Sequence, residues 1–201
     1  MSPVEDRLAA FQRIGLAELN QRAALMTRKD NKYLLTGAQV LGFLGRVGDR
    51  FDALDIGGKT AFNYHSAYFD SDSLHCFRDH NQNRRHRLKM RFRHYADTQQ
   101  TYFEVKVKDR NNQTRKYRQR VEPGLFTGAS LTSELRSFLG VKLQKHPHRI
   151  ADSADAATIQ VDYQRTTLVA RHEPVRITLD NRLRFARGSE SFHTGEGLWV
   201  M

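Results

Sequence analysis

The sequence predicts an α+β domain: one antiparallel sheet, closed into a tunnel, with a few helices over its outer face. Three observations lead there. From residue 51 onward most of the chain alternates apolar and polar residues with period two, the pattern of strands whose two faces meet different surroundings. Helical periodicity is confined to short stretches that open on capping signals. Several strands also carry basic residues along one face, which favours an enclosed anion over water.

The elements follow in order. Ser2, Pro3 and Glu5 supply a cap, a first-turn proline and a capping-box partner, and Val4, Leu8 and Phe11 share the face of the helix they start. Residues 22–35 read as a strand ending in Asn31, Lys32, Tyr33, Leu34 and Leu35. Thr36 and Gln39 form a second capping box, followed by the stripe Val40, Phe43, Leu44 and Val47. Strands are predicted over 51–56, 61–69, 84–95, 101–108 and 114–121, with a short helix over 73–80. A further amphipathic helix near 131–139 uses Leu131, Leu135, Phe138 and Leu139 and stops at Gly140. After a loop, strands resume over 157–170, 174–180 and 182–186, and Trp199 is expected to pack in the last strand. No repeat or linker divides the chain, so residues 1–201 are read as one domain.

Composition narrows the function. A hydrophobic share of 39% and a charged share of 27% are those of a globular protein with a core. The net charge of +11 makes an anion the expected partner. Cys76 is the one cysteine, so there is no disulfide framework, which fits a reducing compartment. No run of 18 apolar residues offers a membrane span, and the acidic, amphipathic start does not resemble a signal peptide. A cytoplasmic protein is expected.

The basic faces locate the chemistry. Arg85, Arg87, Lys89, Arg91 and Arg93 alternate with Leu88, Met90 and Phe92. Glu104, Lys106 and Lys108 share a face, as do Lys116, Arg118 and Arg120, then Tyr163 and Arg165, then Arg176, Thr178, Asp180, Arg182 and Arg184. Ordinary solvated faces mix signs, because like charges opposite one another are destabilising. A shared phosphate chain removes that repulsion, and arginine and lysine are its usual ligands. An open sheet would suit nucleic acid, but Phe92 lies opposite the cations, which is wrong for stacking bases. A closed tunnel suits a narrower triphosphate or polyphosphate, with the helices covering the apolar outer faces.

Six segments together resemble the VTC domain, the catalytic domain of the vacuolar transporter chaperone complex, within the CYTH or triphosphate tunnel superfamily. They are RKDNKYLL (28–35), YHSAYFDSDSLHCFRDH (64–80), RLKMRFRHY (87–95), FEVKVKDRNNQTRKYR (103–118), VDYQRTTL (161–168) and VRITLD (175–180). The resemblance implies a tunnel of antiparallel strands binding ATP, triphosphate or polyphosphate, and a polyphosphate polymerase-type phosphotransferase that uses Mg²⁺ or Mn²⁺. By position it implies Lys32, Arg91, Arg93 and Lys106 as catalytic cations. Lys89, Lys116, Arg118, Tyr163, Arg165 and Arg176 then bind substrate. Glu104 is the best candidate metal ligand, with Asp180 and Asp30 behind it; the two aspartates are read first as ion-pair partners of a neighbouring lysine.

Triphosphatase members open with Glu-x-Glu-x-Lys, where this chain has Arg28, Asp30 and Lys32, which favours the VTC branch. The family's late strand with a Glu-x-Lys step has no counterpart, because the chain ends at GLWVM, so a domain truncated at its last strand is expected. The alternatives are a non-catalytic polyphosphate- or nucleotide-binding module, a triphosphatase, and, behind them, a nucleic-acid-binding sheet. His146 and His148 read as loop, His80 and His86 as solvated or phosphate-facing, and Cys76 as a packed side chain.

Overall fold

The computed structural model describes residues 2–24, 31–108, 113–144, 156–195 and 197–201. The chain divides into two compact units: Met1–Asn63 with Tyr163–Leu183 and His193–Met201, and Tyr64–Asp162 with Arg184–Phe192. The predicted α+β, largely antiparallel architecture is what the strands adopt.

The first unit opens with α1 (Pro3–Ala9), whose capping box between Ser2 and Glu5 is formed as expected. β1 (Gln12–Ile14) and α2 (Leu16–Ala24) follow, then β2 (Leu34–Thr36), α3 (Gly37–Val47) and β3 (Phe51–Leu54). Thr36 and Gln39 close the second capping box at the start of α3. Val4, Leu8, Val40, Leu44 and Val47 from these helices pack with Leu168, Leu179 and Trp199 into one core. Leu168 belongs to β8 (Ala157–Ala170), Leu179 to β9 (Arg176–Arg187) and Trp199 to β11 (Leu198–Val200), with β10 (Glu190–His193) between the last two. The strand order in this unit is β2-β11-β9-β8, with β3 on β8 and β1 parallel to β3. Asp52 is buried beneath two guanidinium groups, accepting from Arg171 Nε at 2.8 Å and Arg22 Nη1 at 3.1 Å.

The second unit holds β4 (Ala61–Phe69), α4 (His75–Asn81), β5 (Arg87–Tyr95), β6 (Gln100–Lys108), β7 (Thr114–Val121), α5 (Gly124–Gly128) and α6 (Ser133–Leu143). Its strand order is β8-β4-β5-β6-β7. The apolar positions predicted for β5 and β6 are fully buried: Met90, Phe92, Phe103 and Val107 are 0% exposed. They pack with Cys76 of α4 and with Leu131, Leu135, Leu139 and Leu143, so helices cover this face as expected. Phe69, Phe92 and Phe103 meet edge to face, with centroids 5.2 to 6.0 Å apart.

The structure corrects four expectations. Residues 22–24 end helix α2 rather than begin a strand, because LAELNQRAA is made of good helix formers and buries Leu19. Helix α6 runs through Gly140 to Leu143, since burying Leu139 and Leu143 on one face outweighs the ~1 kcal/mol cost of a helical glycine. The two strands predicted over 174–186 are one, β9, kinked at Arg182 by a φ of 51°. That kink breaks the alternation and turns Arg182 towards α1, 3.7 Å from Glu5, instead of onto the face of Asp180. Finally, the strand paths end at β2 in one unit and β7 in the other, and no pairing among the described residues closes them into a barrel. The cations on β7 are the kind of side chain that keeps an edge strand from pairing. Asp30, Arg28 and the 146–148 loop lie outside the described residues.

Asp70 sets the turn between β4 and α4. Leu74 caps α4 in a left-handed conformation with no side-chain hydrogen bond of its own. Buried Asp70 serves instead, accepting from the backbone N–H of Ser71, Cys76 and Phe77 at 2.8–2.9 Å. Asp70→Ala strands those donors and is expected to cost about 2–3 kcal/mol in urea unfolding; a loss under about 0.5 kcal/mol would show that the carboxylate does not hold the turn.

Candidate functional site

Strand register in the second unit arranges the predicted residues in rows across β4 to β7. One row is Lys89, Lys106 and Lys116, three ammonium groups directly opposite one another. The next is Tyr68, Arg91, Glu104 and Arg118, and the third is Ser66, Arg93, Tyr102 and Arg120. All point away from the aromatic core, because Phe92, Phe103 and Val105 occupy the alternate positions. Glu104 is the carboxylate in these rows.

Arg91 is the best-fixed cation. Its Nε and Nη2 donate to Glu104 Oε2 at 2.8 and 2.6 Å, and its Nη1 donates to the Tyr68 hydroxyl at 3.0 Å. Arg118 Nε lies 3.8 Å from the other carboxylate oxygen. About a fifth of each side chain in the Arg91–Glu104 pair is exposed, against about half of Arg118. Burial alone would raise the Glu104 pKa, but Arg91 and Arg93 outweigh it and hold the carboxyl below its ordinary range. The same contest acts on Tyr68: burial raises its pKa, while Lys89, Arg91 and Arg93 pull it down to about 8.

The remaining predicted residues belong to the first unit. Arg165 holds Asp180 through two parallel hydrogen bonds of 2.6 Å and lies 5.0 Å over the Tyr163 ring. Asp180 therefore serves as an ion-pair partner, as expected. Arg176 is exposed at the first position of β9, and Lys32 is exposed just ahead of β2. The tyrosines were missed. Tyr64, Ser66 and Tyr68 have period two in YHSAYFD, and Tyr102 has the parity of Glu104, so alternation alone places them on the cationic face.

The donor set bears on a metal. Among the described residues no three His, Cys, Asp or Glu side chains gather into a metal site. One carboxylate, half engaged by Arg91, does not cage an ion. It does fit a divalent ion that arrives on phosphate oxygens and keeps several waters, since such ions use one or two protein carboxylates.

A face of lysines and arginines, fixed on strands and with one carboxylate among them, defines a β-protein with a basic sheet face. Residues 27–200 match the VTC domain, and the chain belongs to that family. No curated protein matches it in sequence. Among solved structures, it is similar to a putative adenylyl cyclase from Hippeastrum described as having a dominant triphosphatase activity, at 11% identity and a TM-score of 0.45, over 84% of this chain and 74% of that one. A conserved hypothetical protein from Pyrococcus furiosus gives 12% identity and 0.41, over 84% and 73%. A putative adenylate cyclase from Vibrio parahaemolyticus gives 9% and 0.38, over 87% and 77%.

Two outcomes follow from the geometry. Glu104→Gln leaves Arg91 without its counter-ion and is expected to cost about 2–3 kcal/mol at neutral pH, below the fully buried range because water screens part of the pair. Since the Glu104 pKa is lowered in the fold, its contribution is present above the ordinary carboxylate range and lost as pH falls through the folded value. Urea curves of wild type and variant should therefore converge in acid; a gap that persists there would refute the charge-pair origin. For Tyr68, ultraviolet titration should show one tyrosinate forming near pH 8 that is absent in Tyr68→Phe. Identical titrations would refute the assignment.

Proposed function

We propose that this protein is a polyphosphate polymerase-type phosphotransferase acting on ATP and polyphosphate. The observation that carries the reading is the row Lys89–Lys106–Lys116 beside Arg91, Arg93 and Arg118. Three ammonium groups directly opposite one another repel, and a chain of phosphates relieves all three at once. Membership in the VTC family supports the same substrate.

In this reading residues 1–201 act as one domain that binds the phosphate chain along its basic strand faces. Lys32, Arg91, Arg93 and Lys106 take the catalytic roles, and Lys89, Lys116, Arg118, Tyr163, Arg165 and Arg176 bind substrate. A terminal oxygen of the growing chain attacks the γ-phosphorus of ATP, the bond from that phosphorus to the β-bridging oxygen breaks, and ADP leaves. The transition state spreads charge over the peripheral oxygens, so catalysis is mainly positioning and electrostatic stabilisation. Arg91, already oriented by Glu104 and Tyr68, supplies donors with no rearrangement. Mg²⁺ or Mn²⁺ carried on the phosphates would find Glu104 as its protein ligand and would neutralise charge there. The lone buried cysteine and the lack, among described helices, of one long and apolar enough to cross a membrane fit a cytoplasmic setting.

A second reading, a polyphosphate- or nucleotide-binding module without turnover, is favoured by the engagement of Glu104 with Arg91. Incubation with ATP and Mn²⁺ separates the two. Polyphosphate accumulating with ADP is expected; free phosphate alone would make the protein a triphosphatase, and neither product with retained polyphosphate binding would leave the module. Lys106→Gln, at an exposed position, should weaken tripolyphosphate binding by about ten-fold with an unchanged melting temperature. An affinity unchanged by that substitution would remove the lysine row from the site.

A further inference from the structure

Two and three rows along from the lysines, the cationic face carries an aromatic cluster that phosphate binding does not use. Tyr64 and Tyr95 sit opposite one another on β4 and β5, with ring centroids 5.1 Å apart and planes at 61°. Tyr95 meets Tyr102 of β6 at 5.9 Å and 89°. The Arg118 guanidinium centre lies 3.4 Å from the centroid of the Tyr102 ring and 5.6 Å from that of Tyr95. Arg93 stands 5.5 Å over Tyr64. Tyr102 is braced by its hydroxyl, which donates to Gln100 Oε1 at 2.9 Å.

These contacts make Arg118 a platform. Its guanidinium carbon lies against the Tyr102 ring at stacking distance, and its Nε is 3.8 Å from the Glu104 carboxylate. About half of the side chain still meets solvent, so the group is held without being buried. A guanidinium lying against an aromatic ring can offer its plane as a stacking surface for a nucleobase, as aromatic rings themselves do. The lysine row begins two residues along β7 at Lys116, about 7 Å from Arg118. A planar base and an anionic tail thus have adjoining places on one rigid sheet.

We propose that Arg118, backed by Tyr102 and Tyr95, is the base-stacking platform that makes this site select a nucleoside triphosphate over bare triphosphate. It rests on the functional reading above, which concerns phosphate binding alone. The Phe92 objection to stacking does not apply to it, because the three tyrosines lie on the cationic side of the strands and Phe92 on the other.

The test compares ATP, inorganic tripolyphosphate and a ribose triphosphate lacking its base, by calorimetry on the whole chain. Wild type should bind ATP tightest and the other two alike. Tyr102→Leu should weaken ATP by about ten-fold, within the range for losing one stacked base, and leave tripolyphosphate within about two-fold. Tripolyphosphate binding also reports that the variant is folded. Arg118→Lys keeps the charge and removes the plane, so it should cost ATP more than tripolyphosphate. Equal losses for both ligands, or unchanged ATP binding in both variants, would overturn the platform while leaving the phosphate site intact. A wild type that binds neither ligand would overturn the functional reading and the platform with it. Losses confined to single-stranded oligonucleotides, with ATP unaffected, would assign the stack to nucleic acid and refute the proposal.

Discussion

The pairing of Arg91 with Glu104 is the interaction on which the cationic face depends. Strands β5, β6 and β7 set lysines and arginines opposite one another in rows, an arrangement that is destabilising by itself. One carboxylate in the middle of the middle strand offsets it where crowding is worst: Glu104 has Arg91 opposite on one side and Arg118 opposite on the other. The lowered pKa of Glu104 and that of Tyr68 record the same field from two positions. One row away the excess is wholly basic: Lys89, Lys106 and Lys116 stand opposite one another, with Lys89 Nζ 4.5 Å over the Tyr68 ring.

The opposite face makes that excess tolerable. Strand residues alternate, so every cation on β5 or β6 is flanked by an apolar neighbour committed to the core, from Leu88, Met90 and Phe92 to Phe103, Val105 and Val107. Burying those side chains under α6 contributes roughly 1.5–3 kcal/mol each, while like-charge repulsion between exposed cations costs a fraction of that. The sheet can therefore hold an unfavourable electrostatic arrangement with no ligand bound. The site is rigid because its backbone belongs to the best-packed part of the unit.

What was legible in the sequence follows the same division. Period two in RLKMRFRHY and FEVKVK assigns both faces correctly, and capping boxes at Ser2–Glu5 and Thr36–Gln39 place α1 and α3. Local rules failed where packing overrode them, as at Gly140 inside α6, and where a single backbone angle did, as at Arg182 in β9. Alternation could not tell that Arg91 bonds Glu104 while Lys106, on the same face, stands exposed, because that depends on which strands pair and in which register. The tyrosines went unnoticed for a different reason. Each reads as an ordinary strand residue, and only pairing brings Tyr64, Tyr95 and Tyr102 together.

The two kinds of cation also divide the chemistry. Arg91 is locked by three hydrogen bonds on two partners, so it can stabilise charge only at a fixed point. Lys89, Lys106 and Lys116 are exposed ammonium groups on flexible stems and can follow a phosphate that shifts along the row. On the polymerase reading proposed above both are needed, because the reacting phosphorus must sit in one place while the chain behind it advances by one unit per cycle. That reading would draw on both kinds of cation, Arg91 held at one point of the sheet and the exposed lysines on the neighbouring row.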